Sequence, residues 1–139
     1  MADVLTAEQR SRCMAAIRGK DTKPELIVRS LLRGLRVKHA THMRTLPGSP
    51  DIVLPRPMIA IFVNGCFWHM HSCRYGRVVA KTNSAFWKKK RSDTVCRDRR
   101  ARAALRRQGW TVLTVWECQT RQVSKLMSVE GRIRRVVGL

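Results

Sequence analysis

Acidic residues are scarce: only nine of 139 residues are Asp or Glu, against 29 Lys or Arg, for a formal charge of +20. A chain this basic repels itself on folding unless a polyanion is its ordinary partner, and nucleic acid is the commonest one. A ribosome-associated or membrane-surface protein would share the charge, but no basic amphipathic helix of the lipid-binding kind is present. Long apolar runs are missing too. The longest, Met58 to Val63, is far too short to span a bilayer, and Met1 to Arg12 has no signal-peptide core, so a cytoplasmic protein with no membrane partner is expected. No internal repeat or low-complexity linker stands out, and the length suits one domain with a real core rather than two. The cysteines number five, an odd count that in a reducing compartment favours metal ligation over disulfides.

What is present is concentrated. Asn64-Gly65-Cys66-Phe67-Trp68-His69-Met70-His71-Ser72-Cys73 places two cysteines, two histidines and two adjacent large aromatics in one stretch. Cys66, His71 and Cys73 offer soft sulfur and borderline nitrogen within a single loop, the donor set of tetrahedral zinc. A fourth ligand is needed. Cys118 would pin the loop to the sheet, whereas Cys96 sits on a charged helix; His69 could also close the site, since Cys66-x-x-His69 is itself a ligand spacing. A closed four-ligand site would be structural. Phe67 and Trp68 follow a ligand cysteine directly, so a rigid loop could hold them out from the surface as wedges that unstack bases, or they simply cover the sheet. Trp87 invites the same two readings.

Two capping-box spacings, Thr6 to Gln9 and Thr22 to Glu25, predict helices near residues 7–18 and 23–33, with Gly34 as the carboxy-terminal cap of the second. Asp51 to Leu54 and Met58 to Val63 read as two strands of a hairpin around Pro55-Arg56-Pro57, whose open end brings Asp51 near Val63 and Asn64. A strongly basic helix is expected from Asn83 or Ser84 to about Arg107, stopping at Gly109. Trp110 to Trp116 is a third strand, giving a strand-helix-strand crossover in a mixed α/β sheet, and a last helix is expected near 122–137.

With so few acids in a positive field, each is a candidate for a task. Asp51 lies where strand-turn-strand nucleases hold magnesium between a carboxylate and a neighbouring carbonyl, although a turn-capping role would also explain it. That nuclease pattern continues with acid-x-lysine, and Phe62-Val63-Asn64 supplies neither. His69 suits proton transfer or the orientation of a metal-bound water. Glu25 could hold such a water, though its capping position accounts for it.

Met14 to Glu25, Leu46-Pro47-Gly48-Ser49-Pro50-Asp51, Gly65-Cys66-Phe67-Trp68-His69, Phe86-Trp87, Arg97-Asp98-Arg99-Arg100 and Gly109 through Cys118 together resemble the very short patch repair (Vsr) DNA mismatch endonucleases, over roughly residues 11–120. The resemblance implies a restriction-endonuclease-like PD-(D/E)XK fold with a structural zinc, in a single domain spanning 1–139 whose residues 1–20 form a DNA-contacting arm and helix. It implies magnesium-dependent nicking 5′ to the thymine of a T:G mismatch left by deamination of 5-methylcytosine, in a context such as CTWGG. Carried over by position, Asp51 and the Val63 carbonyl would bind Mg2+, and His69, Glu25 and Asn64 would complete the catalytic group. Cys66, His71, Cys73 and Cys118 would bind Zn2+. Phe67, Trp68 and Trp87 would wedge beside the mismatch, Met14 and Ile17 would touch the minor groove, and Lys88, Thr94 and Arg97 would contact DNA. The implied partners are double-stranded DNA with a T:G mismatch and the mismatch-repair protein MutL, with the chain acting as a monomer.

Three residues depart from the family pattern. Asn64 stands where histidine or aspartate is expected, Thr94 where asparagine is usual in the basic helix, and Cys13 where asparagine precedes the methionine. Two other functions share most of these features: a restriction-type endonuclease cutting matched DNA, and a non-catalytic zinc protein that binds mispaired DNA.

Overall fold

The computed structural model describes residues 21–139. The expected helix at 7–18, the first capping box, Cys13, Met14 and Ile17 lie outside them. Three helices and four strands follow: α1 (Lys23–Gly34), β1 (Ala40–Thr41), β2 (Ile52–Leu54), β3 (Ile59–Asn64), α2 (Ser84–Arg107), β4 (Thr111–Trp116) and α3 (Val123–Val137), with a 3-10 turn at Glu117–Thr120. The sheet runs β1-β2-β3-β4. β2 and β3 are antiparallel, with Ile52 opposite Ile61 and Leu54 opposite Ile59, as expected of a hairpin around Pro55-Arg56-Pro57. β3 and β4 are parallel, joined through α2, because a chain leaving one edge of a sheet needs a long crossover to return in the same direction.

β3 reads as a continuous apolar run because it lies between β2 and β4, with both faces covered. One face carries Ile52, Leu54, Ile59, Ile61 and Val115, which pack with Val28 and Leu32 of α1 and Val129 and Ile133 of α3 into a single buried cluster. Alternation turns Val53, Ala60 and Phe62 to the other face. Gly48 shows how closely the chain approaches α2 there. Its backbone is left-handed (φ +74°), and a Cβ would lie 2.5 Å from that of Ala101. The Leu46-Pro47-Gly48 turn before Asp51 is thus seated directly on the helix.

Two local expectations are corrected. Gly34 is not the left-handed cap of α1; the helix passes through it to Leu35, and Arg36 carries the positive φ of 57°. The physical reason is that Leu35 and Val37 turn in against the core, which moves the chain reversal two residues on. The capping box at Thr22 is half formed. Thr22 Oγ1 accepts the Glu25 N–H, but the Glu25 carboxylate reaches past Thr22 to accept the N–H of Asp21 at 2.7 Å.

Candidate metal centre and nicking site

The cysteine-rich loop closes on itself after β3. The His71 N–H donates to the Cys66 carbonyl at 3.0 Å, and the Gly76 and Arg77 N–H groups donate to the Cys73 carbonyl at 3.1 Å. Any Cβ on Gly76 would collide with the His71 carbonyl at 1.9 Å, so the loop tolerates only glycine there. This closure gathers one donor atom each from Cys66, His71, Cys73 and Cys118, all within 4.8 Å of one another. His71 Nδ1 lies 3.8 Å from Cys66 Sγ and 3.6 Å from Cys118 Sγ. Tetrahedral zinc with ordinary Zn–S and Zn–N bonds separates its ligands by about 3.6 Å, so the donors fit zinc in both kind and spacing. Burial is the first cause that pushes the Cys66 thiol up to about 12; the Cys118 N–H opposes this, and the Cys73 and Cys118 side chains add to it. Crowding three would-be thiolates is costly without a cation, and a dication turns that cost into affinity. Burial, then the charge of Lys125, holds His71 below the usual imidazole range, favouring the neutral form that ligates.

Cys118 arrives two residues beyond β4, on the 3-10 turn, and its N–H donates to Cys66 Sγ at 3.4 Å. The His71 ring stacks on Trp116, centroids 4.1 Å apart. His69 is not part of the cluster. Its Nδ1 lies 2.5 Å from Asp98 Oδ2 on α2, and Cys96 is exposed on that helix.

The hairpin end forms a second constellation. Asp51 Oδ2 accepts the Val63 N–H at 2.7 Å, which locks the carboxylate against the start of the cysteine-rich segment. Burial raises the Asp51 carboxyl to about 6; the Val63 N–H opposes this, Glu25 adds to it, and His42 and His69 oppose it. Glu25, His42 and His69 therefore lie within electrostatic reach of Asp51. Glu25 is itself 2% exposed, and burial raises its carboxyl as well. Asn64, at the end of β3, is buried and registers with Trp116 of β4.

Beside this constellation runs a ladder of aromatics in successive edge-to-face contacts: Phe67 with Trp68, Trp68 with Trp87, and Trp87 with Phe86, at centroid distances of 5.4, 5.5 and 5.0 Å. Trp68 is buried, Phe67 and Trp87 are half-buried, and Phe86 is the exposed end at 57%. α2 presents Trp87, Arg91, Thr94, Asp98 and Leu105 inward at helical spacing and turns Lys88, Lys89, Arg97, Arg99 and Arg100 to solvent. The Thr94 hydroxyl donates to the Lys90 carbonyl at 3.0 Å.

Sequence reasoning missed Arg91 and His42, and it quoted Asp98 only within a motif. Arg91, one of the many cations of the basic helix, is buried. Its Nε donates to the Phe67 carbonyl at 2.7 Å, its Nη1 to that of Val78 at 2.9 Å and its Nη2 to that of Gly76, and its guanidinium covers the Phe67 ring at 4.2 Å. Arg91→Met would leave three carbonyls short of a donor and is expected to destabilise the fold by about 2–4 kcal/mol, read by urea denaturation of zinc-loaded protein; a loss under about 0.5 kcal/mol would contradict it. The scarcity of acids was the signal for Asp98; a lone histidine after a two-residue strand offered none for His42.

A mixed sheet bearing a half-buried aspartate at its hairpin end, a four-donor thiol-imidazole cluster that could hold zinc and a basic helix with paired aromatics fit a nuclease of the restriction-endonuclease-like class. The profile of the family described as DNA mismatch endonuclease Vsr matches residues 2–75. The chain belongs to the Vsr DNA mismatch endonuclease family and is a DNA-nicking endonuclease. It is 41% identical over 137 residues to the type II nicking enzyme V.XorIIP of Xanthomonas oryzae pv. oryzae, covering 99% of this chain and 98% of that one. It is 43% identical over 126 residues to the DNA mismatch endonuclease Vsr of Escherichia coli, covering 91% and 80%. A third relative, the type II nicking enzyme V.NmeAIP of Neisseria meningitidis, is 37% identical over 119 residues, covering 86% and 84%. Among the described residues no helix is long and apolar enough to cross a membrane.

Proposed function

We propose that the chain nicks one strand 5′ to the thymine of a T:G mismatch created by deamination of 5-methylcytosine, starting very short patch repair in the cytoplasm. The observation that carries this reading is the placement of Asp51 at the hairpin end, bonded to the Val63 N–H and within reach of Glu25 and His69, beside an aromatic ladder on a stapled loop. The carboxylate donor and its raised affinity for positive charge fit Mg2+, held by Asp51 and the Val63 carbonyl; bound there, it would neutralise charge building on the scissile phosphate and leaving oxygen. His69 takes the proton of the attacking water. With its Nδ1–H donated to Asp98, the ring is fixed and Nε2 is left as the base, as in other carboxylate-oriented imidazoles. Glu25 orients the water, and Asn64 stands beside the group without a titrating proton.

Phe67 and Trp87 act as the wedge, with Trp68 between them as its backing, while Lys88, Thr94 and Arg97 contact the duplex on the basic helix. Met14 and Ile17, in the arm formed by residues 1–20 of a single domain, take the minor groove. A wobble pair unstacks more cheaply than a matched one, so inserting the wedge turns that difference into selectivity. The chain acts as a monomer, and MutL is the partner that the family resemblance implies.

Two otherwise identical duplexes, one carrying T:G and one matched, separate the readings when incubated with protein and magnesium. Nicking confined to the mismatched duplex, at least about a hundredfold over the matched one, is expected. Cutting of matched DNA would mean a restriction-type enzyme, and binding without cleavage a mismatch-binding protein, the reading that Asn64 and the missing acid-x-lysine favour. Binding should also weaken steeply between 50 and 200 mM salt, by about a thousandfold if six or more phosphates are contacted.

A further inference from the structure

A second group of ligating side chains lies apart from the cysteines. Asp21, Glu25 and His42 each bring one donor atom to within 4.8 Å of the others. His42 Nε2 lies 3.4 Å from Glu25 Oε1 and 3.5 Å from Asp21 Oδ1. Bonds of about 2.1 Å to a tetrahedral cation would separate the donors by about 3.4 Å. Glu25 is almost fully buried, and its Oε1 has no hydrogen-bond partner; His42 Nε2 is likewise buried and unpartnered, although the two atoms face each other. The other Glu25 oxygen is taken by the Asp21 N–H, which aims Oε1 at the gap.

Two residues are bent into place for this meeting. Asp21 and His42 both have left-handed backbones, φ 59° and 54°, where neither is glycine. The His42 N–H donates to the Asp51 carbonyl at 3.1 Å, so the β1–β2 pairing that positions Asp51 also delivers the imidazole. Arg29 Nη1 donates to Asp21 Oδ1 at 2.6 Å, fixing that carboxylate and leaving Glu25 as the less compensated charge.

We propose that Asp21, Glu25 and His42 form a divalent-cation site of their own, beside Asp51 and distinct from the Cys66–His71–Cys73–Cys118 centre. Two carboxylate oxygens and one imidazole nitrogen, with no sulfur, suit a first-row divalent cation over calcium, and Mn2+ is the paramagnetic member of that series that serves as its probe. The inference rests on the nicking-centre reading only for the cation's purpose: it would keep Glu25 ionised where burial otherwise favours the protonated acid.

The test uses the full, zinc-loaded chain without DNA, titrated with Mn2+. Free Mn2+ is followed by electron paramagnetic resonance, and directly bound nitrogen by the 14N modulation of the pulsed spectrum. Wild type is expected to hold one Mn2+ that carries a 14N signal, besides any Mn2+ that occupies the Asp51 site. His42→Gln, which keeps side-chain size but removes the ring nitrogen, should lose that signal and weaken binding by tenfold or more. Asp21→Asn should weaken it too, guarding against a variant that fails to fold. His69→Ala and Asp51→Asn should keep the 14N-bearing ion. Absence of bound Mn2+ in wild type, or a 14N signal that survives His42→Gln, overturns the proposal. Loss of the ion in Asp51→Asn alone also overturns it while sustaining the nicking-centre reading; nicking that persists in Asp51→Asn sinks that reading and leaves this site standing.

Discussion

Asp51→Asn is expected to abolish nicking and, in the same protein, to raise the melting temperature at neutral pH. The loss of activity follows from the proposed metal contact. About 4 kcal/mol of charge stabilisation in the transition state corresponds to about a thousandfold in rate. The gain in stability follows from the carboxyl's environment. Burial first, with Glu25 adding, raises Asp51 from the ordinary 3.8 to about 6, against the Val63 N–H and the two nearby imidazoles. The folded state therefore holds this proton more tightly than the unfolded chain does. That preference favours folding fully below pH 3.8 and is lost as pH climbs through about 6, so at neutral pH the ionised carboxylate costs up to about 3 kcal/mol. Asparagine still accepts the Val63 N–H and never ionises. Without magnesium, the variant should melt several degrees above wild type at pH 7.5 and at the same temperature near pH 4. Added magnesium should narrow the gap, because it supports only the wild-type carboxylate. Undiminished nicking would sink the metal assignment, and equal melting at pH 7.5 would show that Asp51 is not desolvated.

Cys118→Ser should release zinc and unfasten the loop from the sheet. Cys118 joins the loop through its Sγ beside His71 and through its N–H to Cys66 Sγ, across 52 positions of sequence. Removing one of four ligands loosens the cation's hold on the sulfurs of Cys66 and Cys73, which as thiolates repel one another once it is gone. A loss of about 3–5 kcal/mol, or about 10–20 °C in melting temperature, is expected for a chain of this size. Metal analysis should find one zinc per wild-type chain and far less in the variant, and nicking should fall with it because the loop carries Phe67, Trp68 and His69. A variant that keeps stoichiometric zinc, or melts with wild type, would show that the cysteines are merely buried. Chelation of wild-type zinc should reproduce the variant's melting curve.

Helices and strands were readable because their signals are local. The apolar runs at 52–54 and 59–64, the threonine before Lys23 and the crossover length between β3 and β4 each act within a few residues or a single loop. Parallel pairing of β3 with β4 followed from that length alone. β1 went unseen since two residues carry no period, and with it went His42. Gly34 misled for a related reason: a glycine near a helix end is a good cap by propensity, but burial of Leu35 and Val37 outweighed the few tenths of a kcal/mol involved.

The cysteine-rich loop divides along the same line. Cys66, His71 and Cys73 were recognisable from spacing, and Cys118 stood as a candidate beside His69 until the family resemblance favoured it, because no local rule links a thiol after β4 to a loop after β3. Spacing left His69 open as ligand or base and the family resemblance placed it in the catalytic group, but its contact with Asp98, 29 positions away, had no signal in the sequence. Arg91 is the clearest case. In sequence it is one of ten cations on a basic helix, yet its rotation about the helix axis turns it inward onto the carbonyls of Phe67, Gly76 and Val78.

Composition and spacing thus established a basic, DNA-directed chain, a mixed α/β sheet, a thiol-imidazole loop and a lone aspartate at a hairpin end. Those properties depend on residue type and on neighbours a few positions apart. Which acid meets His69, which arginine holds the Phe67 carbonyl, and how Asp21, Glu25 and His42 converge were decided by tertiary packing alone. Contacts between distant segments exist only once burial of the Val28–Ile133 cluster has fixed how helices and sheet are rotated against one another.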